Sequence, residues 1–159
     1  MSNSKKIVLL GHFGVGKTSV MRKYVTDEFS SDYKVTIGVH ILKKDVEDIS
    51  LILWDIEGTK DINRINKSYL LGAHSFIITY DITRPSTFQN LESQITGLKK
   101  DFPNALIKVI GNKVDLLEKT AIQEDRDKQI VSITDYLTSA KTGENIETLF
   151  LSIASELSK

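Results

Sequence analysis

The chain contains no cysteine and only two prolines among its 159 residues. Without cysteine it has no disulfide, no thiolate nucleophile and no cysteine-bound metal. The apolar run nearest the N-terminus covers only Ile7 to Leu10, which is too short for a signal peptide or a membrane span. We therefore expect a soluble, cytoplasmic protein.

Net charge is also absent, because Lys plus Arg and Asp plus Glu each total 21. No bulk field attracts nucleic acid or an anionic membrane, so a charged ligand has to be recognised by local groups. Ser2 excludes N-myristoylation, and the last residues, Glu156 to Lys159, include no cysteine for prenylation, so no intrinsic membrane anchor is expected. The three histidines are scattered and lack the spacing of zinc ligands.

Short apolar segments alternate with helical patterns, which is typical of βαβ units and a mostly parallel sheet. Strands are predicted at Ile7 to Leu10, Phe76 to Tyr80 and Leu106 to Ile110. An antiparallel hairpin at one sheet edge is predicted for Val39 to Val46 and Ile49 to Asp55. The length fits one domain, which we expect to span residues 1–159.

Helical patterns follow several of these strands. One helix is predicted from Lys17 to about Val25, and a crossover helix after Pro85 from the spacing of Phe88, Leu91, Ile95 and Leu98. A last helix after Gly143 is predicted from the apolar stripe Ile146, Leu149, Phe150, Ile153 and Leu157. The mixed charges from Glu118 to Lys128 predict a solvated loop and a short helix.

The clearest motif is Gly11-His12-Phe13-Gly14-Val15-Gly16-Lys17-Thr18, which matches the phosphate-binding pattern G-x-x-x-x-G-K-[ST] between a strand and a helix. The glycines let successive backbone N–H groups face phosphate oxygens, and the helix N-terminus adds partial positive charge. Lys17 can reach between the β- and γ-phosphates, and the Thr18 hydroxyl is placed to bind Mg²⁺. A glycine turn without a ligand is the alternative. The motif alone leaves ATP and GTP both open.

Two further polar segments follow predicted strands. Asn112-Lys113-Val114-Asp115 follows Leu106 to Ile110, and Thr138-Ser139-Ala140-Lys141 follows Asp135 to Leu137. Ligands bind beyond the carboxyl ends of the strands in an open α/β sheet, so these loops can converge on the ligand of the phosphate loop. Taken separately, each segment is also compatible with an ordinary surface turn or helix start.

With Thr36-Ile37-Gly38 and Trp54-Asp55-Ile56-Glu57-Gly58, these motifs resemble the Ras superfamily of small GTPases, most of all its Rab branch, from Lys6 to about Leu157. The resemblance implies a single Ras-like α/β P-loop domain with a six-stranded, mostly parallel sheet, one antiparallel edge strand and helices on both faces. It also implies a switch that binds GTP or GDP with Mg²⁺.

The resemblance places the metal on Thr18, Thr36 and Asp55. By the same resemblance the Asp115 carboxylate accepts two hydrogen bonds from guanine, and facing adenine it would lose them at a penalty on the order of 1–3 kcal/mol. The nucleotide contacts that it implies are Phe13, Gly14, Val15, Gly16, Lys17, Thr18, Ser19, Phe29, Thr36, Gly58, Asn112, Lys113, Asp115, Ser139, Ala140 and Lys141.

The resemblance also implies catalytic roles for Lys17, Gly58 and Thr59. Thr59 replaces the glutamine that orients the attacking water in the family. Phe13 either crowds that water or folds outward. Glu57 either repels the γ-phosphate and favours GDP, or it points to solvent or pairs with a neighbouring cation, Lys60, Arg64 or Lys67. We therefore predict slow intrinsic hydrolysis that depends on a partner.

Ile41, Trp54 and Tyr69 match an apolar trio that Rab-like proteins present to effectors, and ordinary core packing is the alternative. The resemblance further implies exchange factors and GTPase-activating factors, and a monomer is expected.

Two other functions compete with a hydrolysing switch. One is a non-hydrolysing module bound to GTP or GDP, and the other is a P-loop kinase, which leaves the guanine motifs unexplained.

Overall fold

The computed structural model describes residues 3–32, 35–117, 130 and 132–159. Within this part of the chain, strands and helices alternate around one sheet of six strands in the order β2-β3-β1-β4-β5-β6. Only β2 is antiparallel to its neighbour, so the predicted mostly parallel sheet with one antiparallel edge strand is confirmed. The predicted loop and short helix from Glu118 to Lys128 lie outside the described residues.

Strand β1 (Asn3–Gly11) is longer than its apolar run predicted. Its first residues are polar and more exposed, but they continue the parallel ladder with β3, where Asn3 pairs with Ile49. Backbone pairing therefore extends a strand beyond the part that apolar burial makes visible in the sequence. From Ile7 onward the strand is fully buried and ends at the phosphate loop.

The predicted hairpin is formed by β2 (Val39–Val46) and β3 (Ile49–Ile56). Glu47 adopts a left-handed conformation with φ 53, which allows the two-residue turn between Val46 and Ile49. Strands β4 (Ser75–Asp81) and β5 (Leu106–Asn112) lie inside the sheet, and β6 (Tyr136–Leu137) closes its other edge.

Helix α1 (Lys17–Thr26) begins at the end of the phosphate loop, as predicted. The short α2 (Lys67–Leu70) follows a 3₁₀ turn at Ile62–Arg64. Helix α3 (Leu91–Asp101) begins later than the spacing of Phe88 and Leu91 predicted, because Pro85–Thr87 form a separate 3₁₀ turn and Asn90 is left-handed with φ 60. Phe88 nevertheless stays buried against Tyr80, so its burial and not its helicity explains the pattern.

Helix α4 (Ile146–Leu157) buries Ile146, Leu149, Phe150 and Ile153 of the predicted apolar stripe, and Leu157 is partly buried. It packs with α1 on one face of the sheet, where Tyr24 stacks on Phe150 at 3.9 Å between ring centroids. On the other face, α2 and α3 cover a second apolar cluster that contains Phe76 and Tyr80. The sheet thus has helices on both faces, and its central strands deliver their carboxyl ends to one edge.

Candidate nucleotide-binding site

A cavity of about 530 Å³ opens at this edge of the sheet. Its wall is built by the phosphate loop, the start of α1, the segment before β2, and Gly58 and Lys113. Most of the predicted phosphate and metal residues line it: Phe13, Gly14, Gly16, Lys17, Thr18, Ser19, Phe29, Thr36, Gly58 and Lys113. The sequence motifs of the phosphate end therefore meet in one concave site.

Glycine is required in the phosphate loop for steric reasons. Gly14 and Gly16 have positive φ values of 71 and 99, which L side chains rarely adopt. A Cβ atom on Gly16 would collide with the side-chain amide of Asn112. The phosphate loop can approach Asn112 this closely only because residue 16 has no side chain.

Lys17 is buried at the centre of this loop, with 6% of its surface exposed. Its Nζ donates a hydrogen bond to the backbone oxygen of His12 at 3.3 Å. Burial lowers the pKa of Lys17, although the charge of Asp55 opposes this shift. A buried ammonium group needs an anionic partner, and phosphate groups in the adjoining cavity would supply one.

Three oxygen-bearing side chains from separate elements converge beside Lys17. The Thr18 and Thr36 hydroxyls lie 2.8 Å apart, and Thr18 donates a hydrogen bond to Oδ2 of Asp55. The Asp55 carboxylate is fully buried, and its Oδ1 has no hydrogen-bond partner among the described residues. Burial raises the pKa of this carboxyl group, against the lowering effects of the Thr18 hydrogen bond and the Lys17 charge.

This donor set fits Mg²⁺. Hydroxyl and carboxylate oxygens are the ligands that Mg²⁺ prefers, and a buried carboxylate oxygen without a partner is the atom that a cation or its water would satisfy. The fit rests on residues from α1, from the segment before β2 and from the end of β3. It therefore depends on the fold and not on one local motif.

The two loops that carry the predicted base contacts, residues 112–115 and 138–141, are hydrogen-bonded to each other and to the phosphate loop. Asn112 donates to the backbone oxygen of Val15 at 2.9 Å and accepts from the Thr138 hydroxyl at 3.0 Å. The Ser139 hydroxyl donates to Oδ1 of Asp115 at 2.7 Å. Asn112, Ser139 and Ala140 are buried, whereas Asp115 and Lys141 are exposed.

The exposed Asp115 lies beyond Lys113, outside the wall of the 530 Å³ cavity, as do Ser139, Ala140 and Lys141. Val15 of the phosphate loop and Asn112 are buried and do not line the cavity either. The structure thus brings Lys17, Thr18 and Thr36 to one cavity, with the buried Asp55 bonded to Thr18 beside it. It holds Asp115, Ser139 and Ala140 together next to this cavity.

The segment that follows β3 begins with Glu57, for which the sequence left two arrangements open. Glu57 is exposed and donates its backbone N–H to the Gly38 oxygen at 2.8 Å. Within the described part of the chain it forms no ion pair, since Arg64 pairs with Asp61 and Lys67 with Asp101. Of the alternatives for Glu57, the solvent-facing one is the arrangement in the structure.

Thr59 is engaged locally. Its hydroxyl donates to the Asp61 oxygen and accepts the Asp61 N–H, both at 3.2 Å, and its own N–H donates to the Gly11 oxygen at 2.9 Å. Gly58 packs so tightly on the phosphate loop that an added Cβ would lie 2.7 Å from the Phe13 nitrogen. Phe13 lines the cavity with 45% of its surface exposed.

The predicted apolar trio lies at the hairpin end of the sheet. Ile41 and Trp54 are paired across β2 and β3, and Ile41 is 44% exposed. Trp54 and Tyr69 are partly buried against the cluster on that face of the sheet, and Lys6 Nζ lies 3.8 Å from the centre of a Trp54 ring. The trio therefore combines an exposed aliphatic side chain with two half-buried aromatic ones.

Two site residues were missed by the sequence analysis. Asp81, at the end of β4, is 1% exposed and lies 3.1 Å from Lys113 Nζ. Arg84 reaches back from the following turn and donates to the backbone oxygen of Phe13 at 3.2 Å. The only sequence signal for either was their position at the carboxyl end of a predicted central strand.

Comparison with known proteins decides the family. A family model described as Ras family matches residues 6–159. The Ras-related protein Rab-30 of Homo sapiens is 37% identical over 160 residues, which cover 96% of this chain and 79% of that protein. The Ypt/Rab-type GTPase YPT7 of Saccharomyces cerevisiae is 32% identical over 167 residues, with 96% and 80% covered. The chain belongs to the Ras family.

This Ras-family chain also has relatives in plants, such as the Ras-related protein RIC2 of Oryza sativa subsp. japonica. RIC2 is 33% identical over 160 residues, which cover 96% of this chain and 74% of that protein. The predicted resemblance to the Rab branch and the Ras-like fold are thereby confirmed. Membership of this family makes the chain a GTP-binding molecular switch. Ras and Rab proteins are GTPases that generally bind GTP or GDP with Mg²⁺ and interact with effectors and regulators. Among the described residues, no helix has the length and apolarity needed to cross a membrane.

Proposed function

We propose that this Ras-family chain is a guanine-nucleotide switch that hydrolyses GTP slowly on its own and needs a partner for rapid turnover. The observation that carries the proposal is that Lys17, Thr18 and Thr36 line one cavity, with the buried Asp55 hydrogen-bonded to Thr18 behind them. Thr59, in contrast, is hydrogen-bonded within a local turn. These residues support the binding of a nucleotide and a metal, whereas no side-chain amide at position 59 is present to orient water.

The nucleotide phosphates would bind to the backbone N–H groups between Phe13 and Thr18 and to Lys17. Asp115 and the Ala140 amide would select guanine, and Ser139 supports this role because it orients the Asp115 carboxylate. Phe29, which is 43% exposed on the cavity wall, would cover the base. Ser19, Asn112, Lys113 and Lys141 would complete the contacts.

Thr18, Thr36 and Asp55 would hold Mg²⁺, Asp55 through a water molecule. The bound ion supplies charge compensation for the β- and γ-phosphate oxygens. Thr36 and Gly58 lie on the two segments that would respond to the γ-phosphate, Thr36 through its hydroxyl and Gly58 through its amide. Loss of the γ-phosphate would release both, which is the physical basis of the switch.

Slow hydrolysis is supported by two residues at the phosphate end. The Thr59 hydroxyl is occupied by hydrogen bonds to Asp61, so it is a poor candidate for orienting water. The Phe13 side chain stands on the cavity wall, where it would restrict access for water or for a residue supplied by a partner. The solvent-facing Glu57 removes the reason to propose a bias toward GDP.

A single-turnover experiment tests the proposal. The protein is loaded with GTP and Mg²⁺, free nucleotide is removed, and phosphate release is followed over hours without any added protein. We expect a rate below the value of roughly 3 × 10⁻⁴ s⁻¹ that is typical of unassisted Ras. A rate at or above that value would refute slow intrinsic hydrolysis.

A non-hydrolysing module remains the second candidate, and the same experiment separates it from a slow enzyme. The module is favoured by the same features, Thr59 and Phe13, and it predicts no phosphate release above the rate of free GTP. Identification of the nucleotide that co-purifies with the protein adds an independent result. Bound GTP favours the module, whereas bound GDP is compatible with both candidates and leaves the decision to the phosphate-release experiment.

The trio of Ile41, Trp54 and Tyr69 is our candidate effector surface. Its support is the exposure of Ile41 beside Trp54 at the hairpin that follows Thr36. An exposed aliphatic group next to half-buried aromatic rings is a composition enriched at interface cores. The similarity to Rab-related proteins also supports exchange and activating factors as partners and the cytoplasm as the place of action, and we propose a monomeric domain over residues 1–159.

A further inference from the structure

Side-chain donors bind the backbone oxygens of residues 12–15 in the phosphate loop. Four consecutive backbone oxygens each accept one hydrogen bond from a distant or following side chain. The pairs are Lys17 to the His12 oxygen at 3.3 Å, Arg84 to Phe13 at 3.2 Å, Lys113 to Gly14 at 2.7 Å and Asn112 to Val15 at 2.9 Å. Three of the donors belong to the predicted nucleotide motifs, and Arg84 does not.

These contacts act on the opposite side of the loop through the peptide unit. The carbonyl oxygen of one residue and the N–H of the next belong to the same peptide, so a donor on the oxygen polarises that N–H. Arg84 on the Phe13 oxygen therefore acts on the Gly14 amide. A charged donor has a larger effect than a neutral one.

Asp81 fixes Arg84 in this position. The carboxylate is 1% exposed, and it accepts hydrogen bonds from the N–H and the hydroxyl of Thr83 at 2.9 and 2.6 Å. Its other oxygen lies 3.8 Å from Arg84 Nη1 and 3.1 Å from Lys113 Nζ. One buried carboxylate thus orients two cations that donate to neighbouring oxygens of the phosphate loop.

Arg84 is suited to this bridge by its shape. One guanidinium nitrogen faces Asp81 while the other donates to the Phe13 oxygen. A lysine ammonium carries its charge on a single nitrogen and cannot reproduce this planar bridge. The charge of Arg84 also reaches the loop itself: burial lowers the pKa of His12, and Arg84, Lys60 and Lys17 lower it further.

We propose that Arg84 is a positioning residue of the nucleotide site, which, held by Asp81, polarises the phosphate loop through the Phe13 oxygen and slows release of the bound diphosphate. This inference rests on the proposed function, since it assigns a further residue to the same site. Arg84 acts through the backbone and does not touch the nucleotide.

The test compares dissociation of a fluorescent GDP analogue from the full chain, with Mg²⁺ present, for Arg84→Ala, Arg84→Lys and a control. Arg64→Ala is the matched control, because Arg64 also pairs with an aspartate three residues earlier, at 3.7 Å, but lies away from the loop oxygens. We expect Arg84→Ala to release the analogue about threefold to tenfold faster. Arg84→Lys is expected to fall between Arg84→Ala and the wild type, and Arg64→Ala to match the wild type.

A second measurement separates positioning from a general loss of structure. Affinities for GDP and GMP are measured by competition for the wild type and Arg84→Ala. Because GMP offers one phosphate to the loop, we expect the variant to lose more affinity for GDP than for GMP. Equal losses for both nucleotides, or the same release rate as the wild type, would overturn the role of Arg84.

The outcomes also separate this inference from the proposed function. If the wild type binds no GDP, the proposed function fails and the comparison ends there. If the wild type binds GDP and Arg84→Ala behaves like Arg64→Ala, only the inference about Arg84 fails. Should Arg84→Ala not fold, the conservative Arg84→Lys variant still decides, because a release rate equal to the wild type contradicts the need for a planar bridge.

Discussion

In the function that we propose, Thr59 takes the place of an amide that would orient water, and its hydroxyl already forms two hydrogen bonds. Both of its hydrogen bonds go to Asp61, two residues along the chain. A glutamine side chain is longer and carries an amide that can both donate to and accept from water. The low activity that we propose is therefore a property of single side chains and not of the fold.

Replacing Thr59 with glutamine is expected to raise single-turnover hydrolysis, because an oriented water reacts faster than a free one. The increase should be small in Thr59→Gln and roughly tenfold or more in the double variant Phe13→Gly, Thr59→Gln, since the phenyl ring restricts the same space. Phosphate release from GTP-loaded protein measures both. Thr96→Gln, an exposed change on α3, is the control.

If the single and double variants both kept the wild-type rate, Thr59 and Phe13 would not be the cause of slow hydrolysis. If Thr59→Gln were fast and the added Phe13→Gly change brought no further increase, Phe13 would not contribute to slow hydrolysis. The first result would point to the conformation of the segment after Gly58, and the second would leave Thr59 as the cause.

The residue scale also shows which part of the site could be predicted. Lys17 and Thr18 were predictable because the glycine pattern and the strand before it fix their surroundings within one short loop. Arg84 was not, because its bond to Phe13 joins residues separated by 71 positions and uses a backbone oxygen, which no residue pattern marks. The same holds for Asp81, whose role depends on Lys113 from the loop that follows β5.

At the scale of elements, alternation predicted the hairpin and the last helix well. The start of α3 was placed too early, because Phe88 has helical spacing to Leu91 but belongs to the turn that precedes the left-handed Asn90. The extra length of β1 was also missed, since its polar first residues pair through their backbone alone. Apolar periodicity reports burial, so it misses residues that are held only by the backbone or buried outside a helix.

One contact between elements carries a prediction about pH. Lys108 on β5 and Glu156 on α4 are joined at 2.9 Å. The hydrogen bond from Lys108 lowers the pKa of Glu156, whereas for Lys108 itself burial favours a lower pKa but the hydrogen bond and charge of Glu156 raise it above its usual value. Since the pKa of Glu156 is depressed in the folded state, its contribution to stability is present above its unfolded pKa and is lost as pH falls through the folded value.

We therefore expect Glu156→Gln to lower the free energy of unfolding near pH 7 by at most about 1 kcal/mol, because the pair is partly exposed. The difference from the wild type should shrink as the pH falls below the ordinary pKa of glutamate. Urea unfolding of the nucleotide-bound protein at several pH values measures this. Glu92→Gln, at an exposed position of α3, is the matched control, and a pH-independent difference for Glu156→Gln would contradict the account.

For the whole molecule, the site exists because one sheet edge collects loops that are far apart in the chain. The phosphate loop follows β1, Asp55 lies near the end of β3, Asp81 ends β4 and Asn112 ends β5. The sheet order β3-β1-β4-β5 places these ends side by side. The position of the site followed from the predicted parallel sheet, whereas its hydrogen-bond network required the three-dimensional structure.

Selective guanine binding is the claim on which the whole account depends, and equilibrium competition between GDP and ADP for the Mg²⁺-containing protein tests it most directly. We expect GDP to bind more tightly by a factor on the order of 10², because adenine leaves the Asp115 carboxylate unpaired at a cost of about 3 kcal/mol. Asp115→Ala should remove most of this preference by weakening GDP. Equal affinity for the two nucleotides, or no binding of either, would contradict the account.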